Sequence, residues 1–211
     1  MSQDLTLWGT GTGRTMRAHW MLLELGLEYE FHPIQARSGE TQTAEFMELN
    51  PRHKIPVLRH GRFVLTESAA IIQYLSDTFA DSEKLYVPRE AQSRATLNEW
   101  CYFIVSELDA GSLYVVRRHE ALKHLYGEAP GAVEAAKKYF LHNLEAMASR
   151  VESCGALLFG ERFSAADILL MTCLDWARSS QIALPGPFLN YHQRVAQRPA
   201  YRAALERNFA R

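Results

Sequence analysis

Cysteine is scarce in this sequence, with three in 211 residues at Cys101, Cys154 and Cys173. An odd number of widely separated cysteines makes neither a disulfide framework nor a zinc-ligand spacing, and it points to a reducing compartment, the cytoplasm. A basic excess is missing too: 23 Lys and Arg stand against 24 Asp and Glu, a formal net charge of −1. Nucleic-acid binding runs on a cationic surface that releases counterions, so no nucleic-acid partner is expected. The run Arg117-Arg118-His119 reads as a solvated helix face. No uncharged apolar stretch approaches the ~20 residues that cross a bilayer, so no membrane segment is expected. The start, Met1-Ser2-Gln3-Asp4-Leu5, is neither basic nor followed by an apolar core, which argues against a signal peptide. What remains is a globular composition, 47% hydrophobic and 22% charged, long enough to bury a core without staples.

Several catalytic signatures are absent or broken. Gly9-Thr10-Gly11-Thr12-Gly13-Arg14 follows a strand and opens a helix, but a dinucleotide fingerprint needs glycine where Arg14 stands. There is no P-loop and no G-x-S-x-G nucleophile elbow. The two histidines of His119-Glu120-Ala121-Leu122-Lys123-His124 are one residue too far apart for a zincin. On a helix they point about 140° apart, so no metal is expected. No cysteine occupies the first strand–helix turn, which a thiol oxidoreductase of the glutaredoxin kind requires.

What is present divides the chain in two. Leu5–Trp8 reads as a strand, Arg14–Leu25 as a helix stopped by Gly26, Tyr29–Ile34 as a second strand and Thr43–Leu49 as a short helix. Pro56–Arg59 and Arg62–Leu65 read as a hairpin around His60-Gly61, followed by a helix over Glu67–Phe79. The order is βαβαββα, with a parallel pair and an antiparallel edge. Asp81–Glu90 is polar and contains Pro88, so the expected division is 1–80, a linker at 81–89 and 90–211. Beyond it only helices are expected: one long helix over Ala91–Leu125 that Gly111 bends or packs, then Val133–Val151, Ala165–Arg178, Phe188–Ala196 and Ala200–Asn208 behind Pro199. The fold class is α/β plus all-α.

Three features of the first domain carry chemistry. The Gly/Thr turn before Arg14 places hydroxyls of Thr10, Thr12 and Thr15 at a helix N-terminus, where unpaired N–H groups favour an anion. A plain helix cap is the alternative reading. In Asn50-Pro51-Arg52-His53-Lys54-Ile55-Pro56, a cis Ile55-Pro56 bond would expose a backbone pair able to hold an extended peptide, with His53 and Lys54 suited to a carboxylate. An ordinary trans proline beside two solvated charges is the alternative. Glu67-Ser68 combines an acid for an ammonium with a hydroxyl at another helix start, or is simply a capped helix.

These segments resemble the cytosolic glutathione transferase family. The resemblance lies in Arg14–Glu30, Asn50-Pro51-x-x-Lys54-Ile55-Pro56-Val57-Leu58, Glu67-Ser68-x-Ala70-Ile71 and Gly160-x-x-Phe163-Ser164-x-Ala166-Asp167-Ile168, and it covers essentially the whole chain. It implies a thioredoxin-like N-terminal domain, an all-helical C-terminal domain, a homodimer, and glutathione as co-substrate for a small hydrophobic electrophile. It implies that Ile55 binds the cysteinyl backbone beside cis Pro56, that Glu67 and Ser68 hold the γ-glutamyl end, that His53 or Lys54 meets the glycyl carboxylate, and that Tyr114 lines the electrophile pocket. Ser164 and Asp167 have capping-box spacing and read as structural. The places of the family's usual serine hold Gly13 and Thr12, with neither Tyr nor Cys in the turn. This is similar to a bacterial, Ser/Thr-like type, with Thr12 the first choice for activating the thiol, Thr10 the second and Arg14 as electrostatic support. A glutathione-dependent disulfide or peroxide reductase and a non-catalytic binding module are the other readings. An isomerase acting on maleylacetoacetate is disfavoured because its serine-serine-cysteine motif is missing.

Overall fold

Residues 4–81 and 84–210 are described by the structure, a computed structural model. Met1–Gln3 of the opening segment and residues 82–83 of the linker lie outside the described residues. Two compact units form, one of Met1–Leu85 with Ala196–Arg211 and the other of Tyr86–Val195.

In the first unit, β1 (Leu5–Thr10) is followed by α1 (Gly13–Glu24), β2 (Glu30–Gln35), α2 (Ala44–Leu49), β3 (Val57–His60), β4 (Phe63–Thr66) and α3 (Ser68–Phe79). The strands lie in the order β2-β1-β3-β4, with β1 parallel to β2 and antiparallel to β3, and β3 antiparallel to β4. This is the expected βαβαββα arrangement of a thioredoxin-like domain. Strand β1 is central and all six of its residues are buried, as expected of a strand paired on both edges and covered on both faces. Trp8, Phe46 and Val57 form one cluster, joined by Ile34, Leu49 and Ile55. Helix α1 ends where glycine stops it: Gly26 has φ 66°, its N–H donates to Leu23 O at 3.1 Å, and Leu27 N–H donates to Leu22 O at 2.9 Å. That pair of bonds is a Schellman cap, which a residue with a side chain adopts only under strain.

The last helix, α10 (Pro199–Phe209), belongs to this unit, whereas the linker reading grouped it with the second. Its buried residues Tyr201, Ala204 and Asn208 recur at helical spacing. They face α1: the Tyr201 ring meets Trp20 at a tilt, with centroids 4.9 Å apart, and Arg198 pairs with Glu24. Nothing local to residues 199–209 says which neighbour this apolar stripe covers.

The second unit is helical among its described residues apart from two isolated bridges, Leu157 with Gly160 and Phe159 with Arg162. It holds α4 (Ala91–Phe103), a π-helical segment (Ile104–Leu113), α5 (Tyr114–His119), α6 (Lys123–Tyr126), α7 (Pro130–Ser153), α8 (Ala165–Ser179) and α9 (Gly186–Val195). The single helix expected over Ala91–Leu125 is therefore interrupted. Gly111 marks the reason: a Cβ there would lie 2.9 Å from Ser106 O, one wide π-turn earlier. The three cysteines are free thiols, and all belong to this unit. Among the described residues, no helix is long and apolar enough to cross a membrane.

Helix α8 begins with the capping box expected from Ser164 and Asp167. Asp167 is fully buried and accepts from Ser164 N at 2.8 Å, Ser164 Oγ at 2.6 Å, Leu158 N at 2.9 Å and Tyr191 Oη at 2.6 Å. Burial pushes its carboxyl above the usual range, and the four donated hydrogen bonds oppose that. The box thus ties the α8 start to the preceding loop and to α9. Asp167→Ala removes the shared acceptor of these four hydrogen bonds and should lower stability by about 3 kcal/mol or more, against about 1 kcal/mol for Ser164→Ala. Urea unfolding of both variants checks the ranking; equal losses would count against it.

Candidate active site

The β1–α1 turn, the loop before β3 and the start of α3 all belong to the first unit. In the turn, Thr12 is the N-cap of α1 and half-buried. Its Oγ1 accepts from Thr15 N at 3.1 Å, and Thr15 Oγ1 accepts from Thr12 N at 3.0 Å, a capping box written with two threonines. Thr12 therefore does what the cap reading required. Capping uses an oxygen lone pair and leaves the hydroxyl proton to be donated. Thr15 Oγ1, 3.0 Å from Thr12 Oγ1, is one acceptor within its reach.

Thr10, the second choice, is placed differently. It is buried, and its hydroxyl donates to Asn208 O at 2.7 Å. A hydroxyl has one proton, so Thr10 in this arrangement has none to offer a ligand. Arg14 follows as the second residue of α1, half-buried.

The loop before β3 is shaped by Asn50, which is 2% exposed. Its amide donates to Lys54 O at 2.8 Å and accepts from Arg52 N at 3.1 Å, closing the loop on itself as Asx turns do. His53 has φ 54°, and its Nδ1 lies 2.8 Å from Thr41 O, which makes Nδ1 the protonated nitrogen. Lys54 is exposed, Ile55 half-buried and Pro56 buried. The Ile55–Pro56 bond is cis.

One close approach binds this loop to the turn. Gly9 has φ 120°, and a Cβ there would lie 2.7 Å from Ile55 Cβ and 2.8 Å from Thr15 Cγ2. Only glycine lets β1 end at that distance from both segments.

At the third segment, Glu67 has φ 68° and stands at the N-cap of α3. Its carboxylate already accepts from Arg52 Nη1 at 2.8 Å, while Arg52 Nη2 donates to Thr66 Oγ1 at 2.6 Å. The sequence reading gave Glu67 to a ligand ammonium and overlooked this cation. Ser68 is buried and accepts from Arg17 Nη1 at 3.2 Å, with Arg17 itself 2% exposed. A buried arginine on α1 thus orients the first hydroxyl of α3. Arg17 read as a helix position and Arg52 as an unassigned residue of the loop motif, so neither had a partner on the sequence alone.

Behind the turn, His19 is fully buried. Its Nε2 lies 3.2 Å from Gly9 O and its Nδ1 2.7 Å from Tyr29 Oη. Gly9 O can only accept, so Nε2 carries the proton and Nδ1 accepts from Tyr29. Burial lowers the His19 pKa to about 4, against the raising effect of the Gly9 hydrogen bond and with the charge of Arg207 lowering it further. Burial likewise raises the Tyr29 pKa to about 12.

Tyr114, expected at an electrophile pocket, is half-buried at the start of α5 with the Arg118 guanidinium 5.9 Å from its ring. A hollow of about 520 Å³ also lies in the second unit, lined by residues that include His119, Lys123, Val133 and Lys137. Its two lysines are already paired, Lys137 with Glu120 at 2.6 Å and Lys123 with Glu128 at 3.0 Å. No group of three or more His, Cys, Asp or Glu able to hold a metal occurs among the described residues.

Residues 3–77 match the family described as glutathione S-transferase, N-terminal domain. The chain is 27% identical over 195 residues to glutathione S-transferase GstA of Escherichia coli O157:H7, covering 90% of this chain and 92% of that one. A glutathione transferase from Methylococcus capsulatus superposes with TM-score 0.81 at 27% identity, over 97% of this chain and 98% of that one. A homologue from Lodderomyces elongisporus, solved with two GSH per subunit, superposes with TM-score 0.86 over 96% and 98%; at 21% identity it speaks to the fold.

Two outcomes follow from this geometry. Gly9→Ala should cost about 1–3 kcal/mol of stability in urea unfolding, from overpacking and the left-handed φ together; an unchanged midpoint would contradict the close approach. His19 also couples stability to pH. As pH falls from 6.5 toward 4, the unfolded chain takes up a proton that folded His19 refuses. The stability present above 6.5 is then lost by at most about 1.4 kcal/mol per pH unit across that window. His19→Gln should flatten the slope of the unfolding midpoint between pH 6.5 and 4.5, and an unaltered slope would refute the assignment.

Proposed function

Given that the chain belongs to the cytosolic glutathione transferase family, we propose that it binds glutathione in its first unit and activates the thiol for attack on a small hydrophobic electrophile. The observation that supports this most is the Thr12 hydroxyl at the α1 N-terminus, capping the helix by its oxygen and retaining a proton to donate. A cysteinyl thiol has a pKa of ~8.5, and lowering it by about two units needs roughly 2.7 kcal/mol. A hydrogen bond to a charged sulfur contributes about 1.5–3 kcal/mol and the helix terminus about 0.3–1 kcal/mol, so the two together suffice. Thr12 is the activating residue, Thr10 braces the turn, and Arg14 adds positive charge.

The remaining assignments follow from the donors in place. Ile55 beside cis Pro56 presents its backbone to the cysteinyl residue of glutathione. Ser68, accepting from Arg17, turns its proton toward the γ-glutamyl carboxylate, and Glu67, steadied by Arg52, takes the γ-glutamyl ammonium. Lys54 is exposed and offers its ammonium to the glycyl carboxylate, whereas the neutral His53 ring has given its one N–H to Thr41 O. Residues 1–80, joined by α10, make the glutathione domain, 81–89 the linker and the helices from residue 90 to α9 the helical domain, in which Tyr114 recognises the electrophile. The protein works in the cytoplasm as a homodimer, for which the exposed Phe63 and Val64 on β4 offer an apolar edge.

Retention on immobilised glutathione is the first expected result; failure to bind would make the chain a non-catalytic module. Conjugation of an aryl halide, assayed beside reduction of a disulfide, separates a transferase from a reductase that uses the same thiolate. Thr12→Ala should raise the pH at which bound thiolate forms by about one to two units and slow conjugation about 10–100-fold. The same shift in Thr10→Ala instead would transfer the role to Thr10.

A further inference from the structure

We infer that Asn208, at the C-terminal end of α10, positions the β1–α1 turn for thiol activation, an inference that rests on assigning this turn to the glutathione sulfur. Asn208 is 1% exposed although it stands in the last turn of α10. A polar side chain buried at a helix end must find hydrogen-bond partners. Its partners lie in the turn, to which Asn208 makes four hydrogen bonds. Its carbonyl accepts from Thr10 Oγ1 at 2.7 Å and from Gly11 N at 2.9 Å. Its side-chain amide donates to Thr12 O at 3.1 Å and accepts from Thr15 Oγ1 at 2.7 Å.

The carbonyl contacts use an acceptor that α10 leaves over, since the last carbonyls of a helix have no partner inside it. The side-chain contacts decide where protons go. Thr12 O already accepts from Met16 N at 3.0 Å, as the first carbonyl of α1. Thr15 Oγ1 lies 2.8 Å from Thr12 O as well as 2.7 Å from Asn208 Oδ1; with Met16 N and Asn208 Nδ2 on the two lone pairs of Thr12 O, its one proton is drawn to Asn208 Oδ1. The orientation of the amide is unambiguous, because Thr12 O can only accept and must face the NH₂. Thr15 Oγ1 is thereby held as the acceptor for Thr12 N, and the Thr12 hydroxyl keeps its cap geometry with its proton still to donate.

An amide suits this place because it offers one donor and one acceptor side by side without charge. The adjacent Arg207 holds its guanidinium 4.9 Å from the Tyr29 ring and 6.0 Å from Phe31, and His19 is neutral above about pH 4, so neither opposes a thiolate. A carboxylate at position 208 would oppose it, and would set an anionic oxygen against Thr12 O.

The test compares Asn208→Ala, Asn208→Asp, Thr12→Ala and Arg198→Ala as full-length proteins. It reads the pH dependence of the ultraviolet absorbance of bound glutathione thiolate, with kcat and the glutathione KM in conjugation. Asn208→Ala should raise the apparent thiol pKa by about half a unit to one unit and lower kcat about five- to tenfold, with KM within about twofold. Asn208→Asp keeps the volume and the acceptor for Thr15, and should raise the pKa further. Should Asn208→Ala fail to fold, the Asp variant decides. Arg198 anchors the same helix roughly 15 Å away along its axis. Arg198→Ala should lower the unfolding midpoint and leave thiol pKa and kcat at wild type. Wild-type thiol pKa in the Asn208 variants, or the same shift in Arg198→Ala, would reduce Asn208 to a structural brace and overturn the inference. A silent Thr12→Ala beside shifted Asn208 variants would instead fail the Thr12 assignment and keep the positioning role.

Discussion

A helix that starts inside a protein must find partners for its first N–H groups, and the way α1 does so organises the whole first unit. Thr12 and Thr15 cap each other, and Asn208 reaches both. Gly9 brings the strand end within contact of Ile55 and Thr15, and His19 holds the Gly9 carbonyl from behind. Stretches of chain separated by tens to nearly two hundred residues therefore converge on one turn. Its position is over-determined, which is the condition for a hydroxyl to stabilise a thiolate without first reorganising.

The same economy appears at the other two segments. Asn50 closes the loop that carries His53, Lys54 and Ile55, and Arg52 from that loop reaches Glu67 at the start of α3. Buried Arg17 on α1 touches Ser68 on α3. Glu67 and Ser68, both assigned to glutathione, are thus each supported by an arginine from a different segment. Such support keeps rotamers in place, and a site held this way loses little entropy on binding.

Much of this was legible in the sequence. Helix and strand positions in residues 5–79 followed from apolar spacing and glycine stops, and Gly26 ends α1 as its place predicted. Ser164 and Asp167 announced their own capping box, because both partners lie within one turn. The candidates Thr12, Ile55, Pro56, Glu67 and Ser68 stood at strand ends and helix starts, where local rules apply. What stayed hidden was non-local. Thr10 and Thr12 look alike in sequence, and only the Asn208 carbonyl separates them by taking the Thr10 proton. Arg52 and Arg17 appeared as loop and helix residues without partners, and the π-segment around Gly111 was hidden inside a continuous helical pattern.

The sequence by itself determined the element order, the missing thiol at the first turn and the threonines in its place, since these depend on neighbours in the chain. Tertiary structure alone decided that α10 packs on α1, which hydroxyl keeps its proton, and which arginine meets which partner. Hydrogen bonds between residues far apart in sequence leave no periodic trace, so they emerge only once packing has brought the groups together.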